Sequence, residues 1–207
     1  MLRIGLTGGI AAGKSVASKR FAQLGARVID HDVLAREAVK PGSAAIAELV
    51  RRYGSSIIVN DELDRAALAA IVFNDPVALA DLNNIVHPYV FALSRASDNR
   101  ARADGVRVVV HDIPLLVESA SVEADFDLIV TVAAPIEVRL RRLVDGRGLT
   151  EQEAMGRIES QASDEQRKAV ADVVLDGSRE PIDLYKQVDR LWHEHVPVSD
   201  RGDSVES

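Results

Sequence analysis

Short apolar runs alternate along the chain with longer stretches of helical periodicity, the pattern of a parallel sheet covered by helices. The runs predict strands over Leu2–Leu6, Arg27–Asp30, Arg107–Asp112, Asp127–Val132 and Val173–Asp176. "VRVVVHD" and "FDLIVTV" are continuously rather than alternately apolar, as suits strands buried on both faces. Their β-branched residues favour strand over a short buried helix.

From about Val33 to Asp104 the alternation stops and no strand is predicted. Leu79, Leu82, Val86, Val90 and Leu93 recur at three- and four-residue spacing, one face of a helix. Pro88 interrupts that face and predicts a break or kink at His87. The region over 33–104 therefore reads as a helical lobe inserted between the second and third strands. A second insert, over 135–167, follows the fourth strand. It opens at Pro135, a favourable first-turn residue, and Thr150 with Glu153 has the pattern of a capping box. Two basic helices joined by "DGRG" predict a mobile cover. The remaining core is expected over 1–32, 105–134 and 168–195, with a polar, disordered tail over 196–207.

Composition narrows the function classes. The formal net charge of −7 argues against a broad nucleic-acid footprint, while leaving room for a local positive cluster around a small polyanion. With no cysteine, disulfides, thiolate metal sites and cysteine nucleophiles are excluded. No apolar run approaches the roughly 18 residues of a membrane span, and "MLRIGLTGG" lacks the features of a secretory signal. These features predict a cytoplasmic protein with small-molecule partners, no membrane and no nucleic acid, working as a monomer or weak oligomer.

Candidate chemistry begins at "GLTGGIAAGKS", Gly5 to Ser15. Gly8, four residues, Gly13, Lys14 and Ser15 match G-x-x-x-x-G-K-[ST], with a predicted strand before and a helix after. Such a loop presents backbone N–H groups at a helix N-terminus to phosphate oxygens. Gly8, Gly9, Ala11, Ala12, Gly13, Lys14, Ser15 and Val16 are thus the nucleotide-binding candidates. Lys14 would charge-pair with the β- and γ-phosphates, and the Ser15 hydroxyl would ligate Mg²⁺. Small side chains pointing outward satisfy the loop, so Ala11 is expected at negative φ; a left-handed φ would cost about 1–2 kcal/mol. The fold class expected is α/β: a P-loop NTPase-like parallel five-stranded sheet flanked by helices, with the helical lobe and the cover as inserts.

Five stretches in order, "IGLTGGIAAGKS", "VIDHDVLAREAVKPG", "LNNIVHP", "VVVHDIPLLVES" and "RIESQAS", resemble the dephospho-coenzyme A kinase family through about Trp192. The resemblance implies transfer of a nucleoside triphosphate's γ-phosphoryl to the ribose 3′-hydroxyl of dephospho-CoA, the last step of coenzyme A synthesis. ATP or GTP would be the donor and Mg²⁺ the cofactor, with a helical CoA-binding lobe and a lid. Three departures stand out: Ala11 where the family often has glycine, His31 inside the D-x-D pair, and Asp176-Gly177-Ser178 where an N-S-G or N-N-G is usual. The last puts an acid in a loop that the family sets near adenine.

Each remaining candidate has two readings. Asp32, after the second strand, either accepts the acceptor hydroxyl's proton or caps the following helix; the resemblance favours the base. Asp112 either holds Mg²⁺, directly or through water, or forms the turn before Ile113-Pro114. Arg139 borders the packed face of its helix, about 60° around from Arg142. It is either a cation delivered to the transferring phosphoryl by lid closure or part of a solvated basic helix, with Arg147 the second candidate. The resemblance, rather than any derivable mechanism, assigns His87, Leu115, Glu118, Arg147 and Gln161 to substrate binding. Rival readings are another P-loop small-molecule kinase and a GTP-binding switch; the switch would need an N-K-x-D motif that the sequence lacks.

Overall fold

Gly8, Asp112 and Asp176 mark the ends of three strands whose register brings those ends to one edge of a five-stranded sheet. The computed structural model describes residues 1–73, 75–118 and 126–196. The strands are β1 (Leu2–Gly8), β2 (Arg27–Asp30), β5 (Val108–Asp112), β6 (Leu128–Ala133) and β7 (Val173–Asp176), in the order β2-β5-β1-β6-β7. β1 pairs in parallel with β5 and β6, Leu6 lying opposite Asp112 and Gly8 opposite Val132. β6 pairs in parallel with β7, Ala133 opposite Asp176. The continuous apolar runs sit at the centre: Val108, Val109 and Val110 are buried on β5, and Ile4 and Leu6 on β1. Helices on both faces produce that burial.

Helices α1 (Lys14–Gln23) and α9 (Pro181–His195) cover part of the sheet, with Phe21, Leu184, Val188 and Leu191 in the core. A bidentate ion pair from Arg20 to Asp189, at 2.6 and 2.8 Å, joins them. After β6 come α6 (Ile136–Arg147), α7 (Glu151–Glu159) and α8 (Asp164–Val170). Where two helices were expected over 135–167, there is a third, short one. Thr150 forms the expected capping box: its hydroxyl accepts from Glu153 N at 3.2 Å, and Thr150 N donates to Glu153 Oε2 at 2.9 Å. Leu143, Ala154 and Ile158 bury an apolar cluster between α6 and α7.

The chain divides into two compact units, Ile29–Asp104 and the described remainder. The first carries α2 (His31–Ala38), α3 (Ala44–Tyr53), α4 (Arg65–Val72) and α5 (Pro76–Ala103) around a core of Leu49, Ile57, Leu68 and Val72. Asp30, Ser43, Asp64 and Asp75 cap these helices in turn. Two expectations need correction. The region holds a small antiparallel hairpin, β3 (Ile58–Val59) with β4 (Glu62–Leu63). Its two-residue turn has Asn60 and Asp61 at φ 51° and 63°, the turn type that follows strand twist. Pro88 does not break the helix either, since α5 runs 28 residues through it. Pro88 and the Asn84 carbonyl it leaves without a helical donor both lie at exposed positions, open to water. Of the helical face, Leu82, Val86 and Val90 are at least half-buried, but Leu79 is exposed. Of the tail, Val196 is buried and its N–H bonds Trp192 O at 2.9 Å; the rest lies outside the described residues.

Thr150→Ala removes the acceptor for the first turn of α7 and should cost about 1 kcal/mol in urea denaturation, with Thr150→Ser close to wild type. Equal stability of the alanine variant would show that the cap contributes nothing.

Candidate active site

β1 ends at Gly8, where a Cβ would lie 2.7 Å from Val132 O of the neighbouring strand. The chain then turns through residues 9–12, with Ala12 N bonded to Gly9 O at 3.0 Å, and enters α1 at Lys14. Gly13, at φ 111°, occupies the N-cap position and no side chain caps this helix. Its first N–H groups therefore lack the side-chain acceptor that α7 and α8 have at their starts, and with the helix dipole they suit an anion.

Ala11 departs from expectation: its φ is 60°, in the left-handed region. The conformation turns three consecutive carbonyls toward arginines of α6. Arg139 Nε donates to Ile10 O at 2.9 Å, and Arg142 Nη1 donates to Ala11 O at 3.1 Å and Ala12 O at 3.5 Å. The Ala11 methyl packs against the Leu143–Ala154–Ile158 cluster, which offsets part of the steric cost that glycine would avoid.

Lys14 and Asp112 form an ion pair, the Asp112 carboxylate being nearly buried at the end of β5. Ser15 presents an exposed hydroxyl in the first turn of α1. The Ser15 hydroxyl and the Asp112 carboxylate are hard oxygen donors, a chemistry that fits Mg²⁺, which keeps several waters and takes few protein ligands. Among the described residues no group of three or more His, Asp or Glu could hold an ion by itself.

Behind the loop lies a buried polar layer. Arg139 is 2 % exposed, its guanidinium so close to Gly9 that a Cβ there would meet Cζ at 2.6 Å. Nη1 pairs with Asp164 at 3.4 Å, and Asp164 also accepts from Arg167 Nη2 at 3.0 Å. Burial lowers the affinity of the Arg139 guanidinium for its proton; Asp164 opposes this and Arg167 reinforces it. Arg139 is thus packed against the loop and not part of a solvated helix face. Gln161 faces the same loop, its Oε1 accepting from Ile10 N at 2.7 Å. Glu118 accepts from Ala162 N at 2.8 Å and pairs with Arg167 at 3.5 Å. Sequence reasoning missed Arg142, Asp164 and Arg167. The three-residue spacing of Arg139 and Arg142, which sets them on adjacent faces, was the available signal for the first.

Beyond β7, Gly177 approaches the loop so closely that a Cβ would stand 1.9 Å from Ala12 O. Arg142 Nη2 spans to this segment, donating to Ser178 O at 3.5 Å and Arg179 O at 3.2 Å. The Asp176 carboxylate accepts from Ser178 N at 2.8 Å, and the hydrogen bonds from Ser178 hold it below the usual carboxylate range. Much of this acid's hydrogen-bonding capacity is thus spent within its own turn.

Leu115 is exposed in the turn after β5, and Arg147 is exposed at the last residue of α6. In the second unit, Asp30 rather than Asp32 caps α2, its Oδ1 accepting from Asp32 N at 2.8 Å and Val33 N at 3.1 Å. Asp32 is exposed in the first helical turn. His87 is half-buried on α5, 6.0 Å from the Phe91 ring, and burial pushes its imidazole below the ordinary value.

Two outcomes follow from this geometry. Ala11→Gly should change stability by no more than about 1 kcal/mol, because strain relief and lost packing oppose each other. Ala11→Val, with a branched Cβ at the same φ, should cost more than about 2 kcal/mol in denaturant titration; a neutral Val variant would contradict the left-handed turn. For His87, the unfolded chain takes up a proton near pH 6.5 that the fold resists, so stability declines as pH falls below about 6.5. His87→Phe should flatten that decline in melts across pH 5–7.5, and an unchanged slope would remove His87 as its source.

The model of the CoaE family, dephospho-CoA kinase, matches residues 2–182. A curated dephospho-CoA kinase of Mycolicibacterium paratuberculosis is 52% identical over 197 residues, covering 95% of this chain and 48% of that protein. One of Leifsonia xyli subsp. xyli is 49% identical over 194 residues, covering 93% and 98%. A crystal structure from Thermus thermophilus superposes with a TM-score of 0.79 at 33% identity, covering 95% of this chain and 98% of the other. The chain thus spans about half the length of the mycobacterial relative and nearly all of the Leifsonia one. With its phosphate loop, Lys14–Asp112 pair and parallel sheet inside the matched segment, the chain belongs to the dephospho-CoA kinase family.

Proposed function

We propose that this chain transfers the γ-phosphoryl group of ATP to the ribose 3′-hydroxyl of dephospho-CoA, completing coenzyme A. The observation that carries the reading is the uncapped, glycine-led start of α1, with Lys14 held at the Asp112 end of β5, in a chain of this family. In the reaction, the N–H groups at the start of α1 and the Lys14 ammonium bind the β- and γ-phosphates. Nucleotide binding draws Lys14 from Asp112 toward phosphate, leaving the Asp112 carboxylate free for the cation. Ser15 and Asp112 would hold Mg²⁺, which would supply positive charge against the phosphates.

Asp32 is the proton acceptor. As the 3′-oxygen forms its bond to the γ-phosphorus, the bond to the β–γ bridging oxygen breaks, ADP leaves, and the hydroxyl proton passes to the Asp32 carboxylate. Asp30 supports this assignment, because it takes the capping role and leaves the Asp32 side chain uncommitted to the helix. Arg147, exposed at the end of α6, is the better candidate for a cation that reaches the transferring phosphoryl from solvent, while buried Arg139 supports the loop from behind. His87, Leu115 and Glu118 belong to the acceptor side of the reading. A cytoplasmic protein, monomeric or weakly oligomeric, matches small soluble substrates; no helix among the described residues is long and apolar enough to cross a membrane.

Coupled turnover with Mg²⁺ tests the whole, comparing dephospho-CoA with AMP, CMP and gluconate as acceptors, and ATP with GTP as donors. Preference for dephospho-CoA is expected, and a preferred nucleoside monophosphate would overturn the acceptor. Asp32→Asn should lower kcat by about 10²–10⁴ with ATP binding nearly unchanged, whereas substantial retained kcat would remove the base.

A further inference from the structure

We infer that Gln161 is a positioning residue of the donor site, clamping the phosphate loop through Ile10, rather than a contact to the acceptor. The inference rests on the kinase reading above for its consequence, but its geometry stands alone.

Ile10 is held at both of its backbone polar groups. Its N–H donates to Gln161 Oε1 at 2.7 Å, and its carbonyl accepts from Arg139 Nε at 2.9 Å. The two clamps are linked. Gln161 lies in the connector between α7 and α8; three residues on, Asp164 pairs with Arg139 Nη1 at 3.4 Å. A closed ring results, running from Ile10 through Arg139 and Asp164 along the chain to Gln161 and back. Between them, Ala162 N donates to Glu118 Oε1 at 2.8 Å, and Arg167 bonds Asp164 at 3.0 Å, so the connector is itself anchored.

The ring closes on the residue before the loop's one non-glycine at positive φ. Ala11, immediately after Ile10, sits at φ 60°, a conformation that persists where its surroundings over-determine it. Arg139 at Ile10 O and Arg142 at Ala11 O hold the peptide planes on either side of Ala11, and Gln161 at Ile10 N holds the plane before them. This last bond also commits the Ile10 N–H to Gln161, leaving the phosphates to the N–H groups nearer α1. The Gln161 carbonyl oxygen is thus spent on the loop.

The test uses the whole chain. In Gln161→Leu the Ile10 amide, assigned by NMR and followed by hydrogen exchange without nucleotide, should exchange at least about tenfold faster. KM for ATP should rise about tenfold while KM for dephospho-CoA stays within about twofold. Gln161→Glu, which keeps an acceptor oxygen, should restore protection of the Ile10 amide, and melting curves of both variants establish that they fold. Unchanged Ile10 exchange in the Leu variant overturns the clamp. So does a rise confined to KM for dephospho-CoA, which would make Gln161 an acceptor contact. If the wild-type chain fails to phosphorylate dephospho-CoA, the kinase reading falls, while Ile10 exchange and the affinity for ADP still decide the clamp.

Discussion

Turning the carbonyls of Ile10, Ala11 and Ala12 away from the mouth of the phosphate loop requires donors behind it, and α6 supplies them as Arg139 and Arg142. A loop that offers N–H groups to a polyanion must put its carbonyls somewhere, and a buried carbonyl without a donor costs more than a typical hydrogen bond gains. Guanidinium groups are suited to the task, since each carries several donors in a fixed plane and brings a positive charge to a site for anions. Arg139 does so from nearly complete burial, which it tolerates because Asp164 shares its charge.

The sheet makes this arrangement possible. Parallel pairing aligns strand ends, so the loop after β1 emerges beside the ends of β5, β6 and β7. Asp112 meets Lys14 for that reason, and Gly177 reaches Ala12 for the same one. The approach at Gly177 leaves no room for a side chain. Arg142, bridging the loop carbonyls to Ser178 and Arg179, fastens the two segments together. Groups distant in sequence thus act as one rigid support, and rigidity is what a pre-organised phosphate site requires.

The helical unit follows a different logic, in which local signals dominate. Four successive helices each start at an Asp or Ser whose side chain accepts from the first turn. The hairpin turn at Asn60-Asp61 is equally local, and its chemistry was readable in "VNDEL" although the strands are too short to announce themselves by pattern. Pro88 shows the limit of such reading. A proline ends a helix only if its lost hydrogen bond and ring clash outweigh the packing on either side, and Val86, Tyr89 and Val90 remain packed in α5.

The strands of the sheet, the phosphate loop between β1 and α1, the Thr150 cap and the family were legible in the amino-acid sequence. Each rests on residues adjacent or regularly spaced in the chain: continuous apolar runs, a fixed glycine–lysine–serine spacing, a cap and its partner three residues on. The sequence could not decide the φ of Ala11, the burial of Arg139 or the partner of Gln161. Those depend on α6 and the α7–α8 connector meeting a loop more than a hundred residues away, and no local propensity encodes that contact. The tertiary structure chose the left-handed turn because the neighbours that hold it, two arginines, a glutamine and an apolar cluster, come together only once the chain has folded.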